Sequence, residues 1–247
     1  MRVEDGFNDP RLAATYDIEN DGRDDIEFYL ELARDLGAHD VIKLGCGTGV
    51  LASDLARSGH AVVGIDPAEA MLDIGQRRPD GDRVTWIQGS AAAMATSSAD
   101  LVVMSGHVSQ VFTDDAEWVA ALAHIHRALR PGRYLAFEMR DPTARAWASW
   151  TRTASERTYR PAGGDAFTSW VDVTGVDDGL VTFDAYTVFA QTGEELVSSS
   201  TLRFRTREEL EASLAATGFY RASIYGTWNR GPVTTETREL IVVATRA

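Results

Sequence analysis

The feature that most constrains this chain is a glycine loop set between a β-branched run and a helical stretch. Val41 to Leu44 reads as a strand, Gly45-Cys46-Gly47-Thr48-Gly49 follows at once, and Val50 to Arg57 reads as a helix stopped by Ser58-Gly59. Glycines at such a junction take conformations that a β-carbon would strain, and they let main-chain amides approach a ligand. The helix N-terminus adds partial positive charge, so the loop suits a phosphate or an amino-acid carboxylate. Asp66 closes the next strand, Ala61 to Ile65, 21 residues beyond Gly45. A carboxylate at the adjacent strand tip can accept bonds from ribose hydroxyls. The plainer role open to it is to cap the helix that starts at Pro67.

The spacing separates this loop from its relatives in other enzymes. The phosphate loop G-x-x-x-x-G-K-[ST] is absent. A dinucleotide fingerprint has Gly or Ala three places after its second glycine, where this chain has Val50, with Gly49 one place early. A valine there would crowd the helix–strand contact that the small residue serves, which disfavours a nicotinamide-dependent oxidoreductase.

Around the loop, the first 140 residues alternate short β-branched runs with helical stretches, the signature of βαβ units and a parallel sheet. Further strands are read at Val84 to Gln88, Leu101 to Met104 and Arg133 to Met139, and helices at Asp24 to Leu36, Ala68 to Arg77 and Asp114 to Leu129, the last broken by Pro131-Gly132. From 142 to about 165 the chain is rich in Trp, Arg and Thr without clear period. Three alternating runs follow, Ser169 to Thr174, Leu180 to Ala190 and Glu195 to Arg205, with turns at Asp177-Asp178-Gly179 and Gln191-Thr192-Gly193. This is an antiparallel meander inserted at about 142–205. Thr206-Arg207-Glu208-Glu209 is a capping box for a helix to about Thr217, and Phe219 to Trp228 and Leu240 to Thr245 close the sheet. The chain returns to that sheet, so 1–247 is read as a single domain.

Composition narrows the partners. In 247 residues, 44% are hydrophobic, enough for a sizeable core. No apolar run approaches the ~18 residues of a membrane helix. The start MRVEDGFNDP is acidic and polar, unlike a secretory signal, and Cys46 is the single cysteine, so no intrachain disulfide or cysteine-rich zinc site forms. The cytoplasm is the expected compartment. A formal net charge of −13 without a Lys/Arg cluster argues against nucleic acid and polyanions and leaves amines and neutral small molecules open. No metal-ligand cluster is visible, and either a monomer or a homodimer fits.

Leu44-Gly45-Cys46-Gly47-Thr48-Gly49 resembles motif I of the class I S-adenosylmethionine-dependent methyltransferases. The resemblance continues through Val62-Val63-Gly64-Ile65-Asp66-Pro67, Gly89-Ser90-Ala91, Asp100 to Phe112 and Leu129-Arg130-Pro131-Gly132, in order across roughly residues 10 to 140. The meander before the last helix is similar to the cap of small-molecule methyltransferases, sugar-amine N-methyltransferases among them. The resemblance implies a Rossmann-like, doubly wound α/β fold with a seven-stranded sheet whose last strand is antiparallel. It also implies methyl transfer from S-adenosylmethionine to an N or O of a small-molecule acceptor. Residue by residue, it puts the amides of Gly45, Cys46, Gly47 and Gly49 against the methionine end of the cofactor and Asp66 on its ribose. Pro67 and Met71 would flank the adenine, and Gly89, Ser90 and Ala91 would lie at its edge. Tyr16, in a Tyr16-Asp17 pair typical of the group, and Ser105 complete the cofactor set.

Candidate chemistry at the acceptor comes from two side chains. His107 lies just past the fourth strand, at the rim where open α/β sheets bind ligands, as a general base, a substrate ligand or a residue bonded within its loop. Glu138 ends the fifth strand and either faces the acceptor or forms a buried pair with an arginine such as Arg140. Of Trp147, Trp150, Trp170, Phe183, Tyr186 and Phe189, some form the core of the meander and a minority line a pocket. The departure from the family pattern is Lys43, the chain's one lysine, where members carry an acid beneath the loop. A lysine donates only and adds positive charge near a positive ligand. It motivates a second reading, a non-catalytic binding or regulatory domain that has kept the fold.

Overall fold

A computed structural model describes residues 5–22, 24–162 and 164–247. Two short helices open it, α1 (Asp5–Asn8) and α2 (Pro10–Glu19), followed by α3 (Asp24–Asp35). The alternating part runs β1 (Asp40–Leu44), α4 (Val50–Arg57), β2 (Ala61–Asp66), α5 (Glu69–Arg77), β3 (Val84–Gln88), β4 (Ala99–Met104), α6 (Asp115–Ala128) and β5 (Leu129–Arg140). Next come α7 (Arg152–Ser155), β6 (Arg157–Tyr159), β7 (Phe167–Asp177), β8 (Leu180–Phe189) and β9 (Glu195–Arg203). The chain closes with α8 (Arg207–Ala216), β10 (Phe219–Tyr225) and β11 (Glu239–Arg246).

Seven strands form one sheet in the order β10-β11-β5-β4-β1-β2-β3, and β11 runs antiparallel to both neighbours, as the resemblance implies. Successive side chains of a strand point to opposite faces, and the two faces are covered by different helices. Leu101 and Val103 of β4 pack with Val41, Ala136 and Ile241 beneath α3 and α4, through Phe28, Tyr29, Leu51 and Leu55. Val102 and Met104 pack with Ile42, Leu135 and Phe137 beneath α6 and α8, through Trp118, Leu122 and Leu210. The order reverses between β1 and β4, so the tips of β1, β2 and β4 open a crevice at the topological switch point.

The other four strands pair as β6-β7-β8-β9, all antiparallel. Asp178 and Gly179 both have positive φ (42° and 75°), the signature of the tight turn read at Asp177-Asp178-Gly179. Arg205 anchors the end of this cap: fully buried, it donates through Nη2 to Phe112 O (2.9 Å) and Asp115 Oδ1 (2.8 Å). The capping box of Thr206 and Glu209 then opens α8 as read.

Three local differences from the sequence reading have physical causes. β5 begins at Leu129 rather than Arg133, because Leu129 still pairs with Ala99 before the register shifts, and Gly132 (φ 74°) absorbs the bulge. The bulge presents Arg130 to both Asp40 and Asp100 at 2.8 Å. Helix α2 lies outside the elements read from the sequence although its start carries a signal: Asp9 caps it by accepting from Arg11 N, and Pro10 occupies the first turn. Strand β6 comes from the stretch without period; three residues pairing only with β7 leave no alternation to read.

Candidate active site

The glycine loop sits in the crevice and its backbone explains its composition. Gly45 and Gly49 hold φ of 62° and 80°, which L side chains rarely adopt. A β-carbon on Gly45 would fall 2.5 Å from Val108 Cγ2, and one on Gly49 would fall 2.4 Å from the Trp86 ring. At Gly47 (φ 54°) nothing lies within 4 Å of the missing β-carbon, so its α-carbon face is open to the cleft.

Asp66 holds this arrangement at the tip of β2. Its Oδ2 accepts from Gly47 N (2.8 Å) and its Oδ1 from Ala68 N (2.9 Å), so one carboxylate ties the loop to the start of α5. Burial raises its pKa above the ordinary value, against the two amides and the Lys43 charge that lower it. Lys43 supports the loop with the opposite polarity from an acid. Its Nζ donates to Gly45 O (2.7 Å), Leu44 O (3.1 Å) and Ser105 O (3.1 Å). An acid would need loop amides, but those of Cys46, Gly47 and Gly49 already donate to Ile65 O, Asp66 and Cys46 O. The carbonyls of Leu44, Gly45 and Ser105 need a donor, and lysine supplies one.

These residues line a cleft of about 110 Å³ at the switch point. Gly45, Cys46, Gly47, Asp66, Pro67, Ser105 and Tyr16, all expected from the sequence, lie on its wall. Gly49, Met71, Gly89, Ser90 and Ala91 do not. Gly49 is packed on Trp86, Met71 is buried under Phe7 and Tyr16, and Gly89 donates to Asp66 O (2.9 Å) just beyond the cleft. Ser90 and Ala91 open a short helical turn next to it. Burial pushes the Cys46 thiol far up, so it stays protonated at neutral pH. Phe7 and Thr48 also line the cleft and were not foreseen. Thr48 donates to Asp17 Oδ1 (2.5 Å), and Arg78 bonds both Thr48 O and Asp17, which latches α2 over the loop.

A second, larger cavity of about 580 Å³ lies under the cap and meets the first at Phe7, Tyr16, Gly106 and Val111. One face of the four-stranded sheet roofs it: Val171 of β7, Phe183, Ala185 and Thr187 of β8, and Ser198, Ser200 and Leu202 of β9. The two-residue period of a strand selects them. Of the aromatic residues weighed from the sequence, Trp150 and Phe183 line this cavity. Trp170 and Tyr186 stack on each other at 4.9 Å on the opposite face, with Arg152 over Trp170.

His107 and Glu138 both reach this cavity. His107 Nε2 lies 3.0 Å from Glu239 Oε2, a residue of β11 that the sequence did not single out. A carboxylate on Nε2 fixes the proton there and leaves Nδ1 as the acceptor. Glu138 is buried, but not as a contact pair with Arg140. It accepts from the His107 amide (2.7 Å) and from the Tyr29 hydroxyl, and so holds the His107 loop, whose φ of 60° is strained for a histidine. Glu19 and Asp25 add two more carboxylates to the wall.

A family model described as a methyltransferase domain matches residues 41–132, from β1 to the bulge in β5. The chain is similar to the cypemycin N-terminal methyltransferase of a Streptomyces species, 27% identical over 219 residues, 86% of this chain and 85% of that protein. The chain carries a methyltransferase domain and is similar to the class I S-adenosylmethionine-dependent methyltransferases. Two solved structures share the methyltransferase's fold. The sugar N-methyltransferase KedS8 from a Streptoalloteichus species has a TM-score of 0.77 at 16% identity, covering 100% of this chain and 96% of its own. The S-adenosylmethionine-bound amino pentose methyltransferase CalS10 from Micromonospora echinaspora has a TM-score of 0.71 at 21% identity, covering 95% of each. The methyltransferase uses S-adenosylmethionine, and its smaller cleft fits that group: open space at Gly47, where no side chain intrudes, and a carboxylate at the tip of β2. Among the described residues, no helix is long and apolar enough to cross a membrane.

Proposed function

We propose that this methyltransferase methylates an amine nitrogen of a small molecule held under the cap. The observation that carries the reading is the His107–Glu239 pair on the wall of a cavity that also holds Glu19, Asp25 and Glu138. An amine arrives as an ammonium ion, and a cavity lined by carboxylates attracts it. It must lose its proton before it can attack. His107 Nδ1 accepts that proton, and Glu239 stabilises the imidazolium that results.

Bound S-adenosylmethionine supplies a methyl group on a positively charged sulfur, already activated for displacement. We assign its ribose to Asp66 and its amino-acid end to the backbone of Gly45, Cys46 and Gly47 and to Tyr16 and Ser105. Gly49, Met71, Gly89, Ser90 and Ala91 support this site from behind or border its adenine end. The remaining task of the chain is alignment, since holding two reactants in line supplies much of such a rate. Tyr16, Phe7, Gly106 and Val111 border both cavities, so the reacting atoms would meet between them. The relatives named for an N-terminus, a sugar nitrogen and an amino pentose support a nitrogen acceptor.

Radiolabelled methyl transfer to amino sugars and peptide amino termini, each run against its hydroxyl isostere, tests the reading. Product from the amines and none from the hydroxyl forms is expected. Methylation of the hydroxyl forms alone would replace it with O-methyl transfer.

A further inference from the structure

Among the described residues on the wall of the larger cavity, Arg140 is the single arginine, and the proposed reaction does not use it. It ends β5, and the sheet register sets it directly opposite Glu239 on β11. Opposed side chains of that kind lie roughly 5 Å apart and normally close as an ion pair when their charges are opposite. This pair does not close, because Glu239 is turned to His107 at 3.0 Å. Glu138, the other nearby carboxylate, bonds Tyr29 and the His107 amide. Among the described residues, no carboxylate lies within ion-pair distance of the Arg140 guanidinium.

What Arg140 does contact fixes its direction. Nη1 donates to Gln110 Oε1 at 3.0 Å, and the guanidinium lies 5.3 Å from the centre of the Trp150 ring, itself on the cavity wall. Gln110 is fully buried and bonded to Arg203 O, so it serves as a fixed bracket. A guanidinium carries five donors. None of the Arg140 nitrogens is among the occluded atoms that lack a partner, so the donors not used by Gln110 open onto the cavity. Burial lowers its pKa from the ordinary arginine value, against Glu239 and Glu138, which raise it. An arginine held away from bulk water, clamped on one side by an amide and an aromatic ring, presents a planar fork to whatever enters.

We propose that Arg140 is a specificity-determining residue that binds an oxyanion, a carboxylate or a phosphate, carried by the methyl acceptor a few bonds from its reacting amine. The inference rests on the amine reading above and extends it: the acceptor is a zwitterion. Net neutrality resolves the conflict between an acidic cavity and an anionic group. The ammonium end faces His107, Glu239 and the other carboxylates, and the oxyanion end takes the place opposite Arg140 that Glu239 has left.

The test has two arms. In the first, acetate and inorganic phosphate are titrated separately into the protein, with and without S-adenosylhomocysteine, for wild type, Arg140→Gln and Arg140→Lys. Millimolar binding to wild type is expected, weakened at least tenfold in Arg140→Gln and partly restored in Arg140→Lys. Which anion binds better separates the carboxylate from the phosphate. In the second arm, primary amines bearing a carboxylate or phosphate are compared with their neutral esters as acceptors. A preference of at least tenfold for the charged forms is expected, lost in Arg140→Gln through KM, with kcat and S-adenosylhomocysteine affinity little changed. Equal anion binding by wild type and Arg140→Gln, or a wild-type preference for the esters, overturns the proposal. Should the first arm discriminate while no amine is methylated, the oxyanion site stands and the amine reading fails.

Discussion

The two cavities share Phe7, Tyr16, Gly106 and Val111 but are built by opposite means. The smaller is made of main chain: three glycines at positive φ, amides tied to Asp66, and carbonyls tied to Lys43. The larger is made of side chains from distant elements: α2, β4's following loop, β5, the cap and β11. Backbone that must adopt a particular conformation tolerates few residue types, so the first cavity constrains its own sequence over a short stretch. A wall assembled from alternate residues of paired strands constrains only which face is apolar or polar, and its chemistry is free to vary. The first suits an invariant ligand and the second an acceptor that differs from enzyme to enzyme.

The sharpest way to break this contrast is to remove the base. His107→Gln is expected to lower kcat by about 10²–10³ while leaving S-adenosylhomocysteine affinity within a factor of two, since proton transfer by a positioned side chain contributes roughly 10²–10⁴. Steady-state rates beside calorimetric titration check it. An unchanged kcat would return His107 to a purely structural role on its strained turn.

Asp66→Ala probes the other cavity. Each charge-assisted bond to a ribose hydroxyl is worth about 1.5–3 kcal/mol, so S-adenosylhomocysteine should bind ten- to a hundredfold more weakly in a protein whose circular dichroism is native. The raised pKa adds a pH test. Hydroxyls donate to the ionised carboxylate, so affinity is complete above the raised pKa and is lost as pH falls through it. That loss should begin above the range set by the ordinary value of 3.8. Without ligand the reverse is expected in chemical denaturation: the Asp66 contribution to stability falls as pH rises through the same window, because folding disfavours the ionised form.

How much of this was legible in the sequence follows the same division. Gly45, Gly47 and Asp66 could be named because each answers a local requirement, a positive φ or a strand tip beside a turn. The seven-stranded sheet followed from the alternation and the motif resemblance together. Glu239 and Arg140 could not be paired in advance, because their meeting depends on the antiparallel register of β5 and β11, 99 residues apart in the chain. Lys43 stood out as a departure, but only the geometry shows why a donor suits that place. A lysine beneath the loop looked like a charge left to repel the cofactor; bonded to three carbonyls, it is part of the scaffold.

Smaller effects sharpen the contrast further. Lys43→Met leaves three buried carbonyls without their donor and should cost about 1–3 kcal/mol in chemical denaturation. It should also weaken S-adenosylhomocysteine more than it slows any acceptor-dependent step, because the loop belongs to the first cavity. Thr206→Ala removes the cap of α8 at the exit from the four-stranded sheet. It should cost about 1 kcal/mol of stability and touch neither ligand.

The central claim is that cofactor binding and acceptor chemistry reside in separable walls, and one titration series addresses it directly. S-Adenosylhomocysteine is titrated into wild type, Asp66→Ala and His107→Gln under one set of conditions, with methyl transfer measured on the same samples at saturating cofactor. The expected result is a loss of affinity confined to Asp66→Ala and a loss of turnover at saturation confined to His107→Gln. Loss of affinity in His107→Gln equal to that in Asp66→Ala would contradict it and make the two cavities a single site.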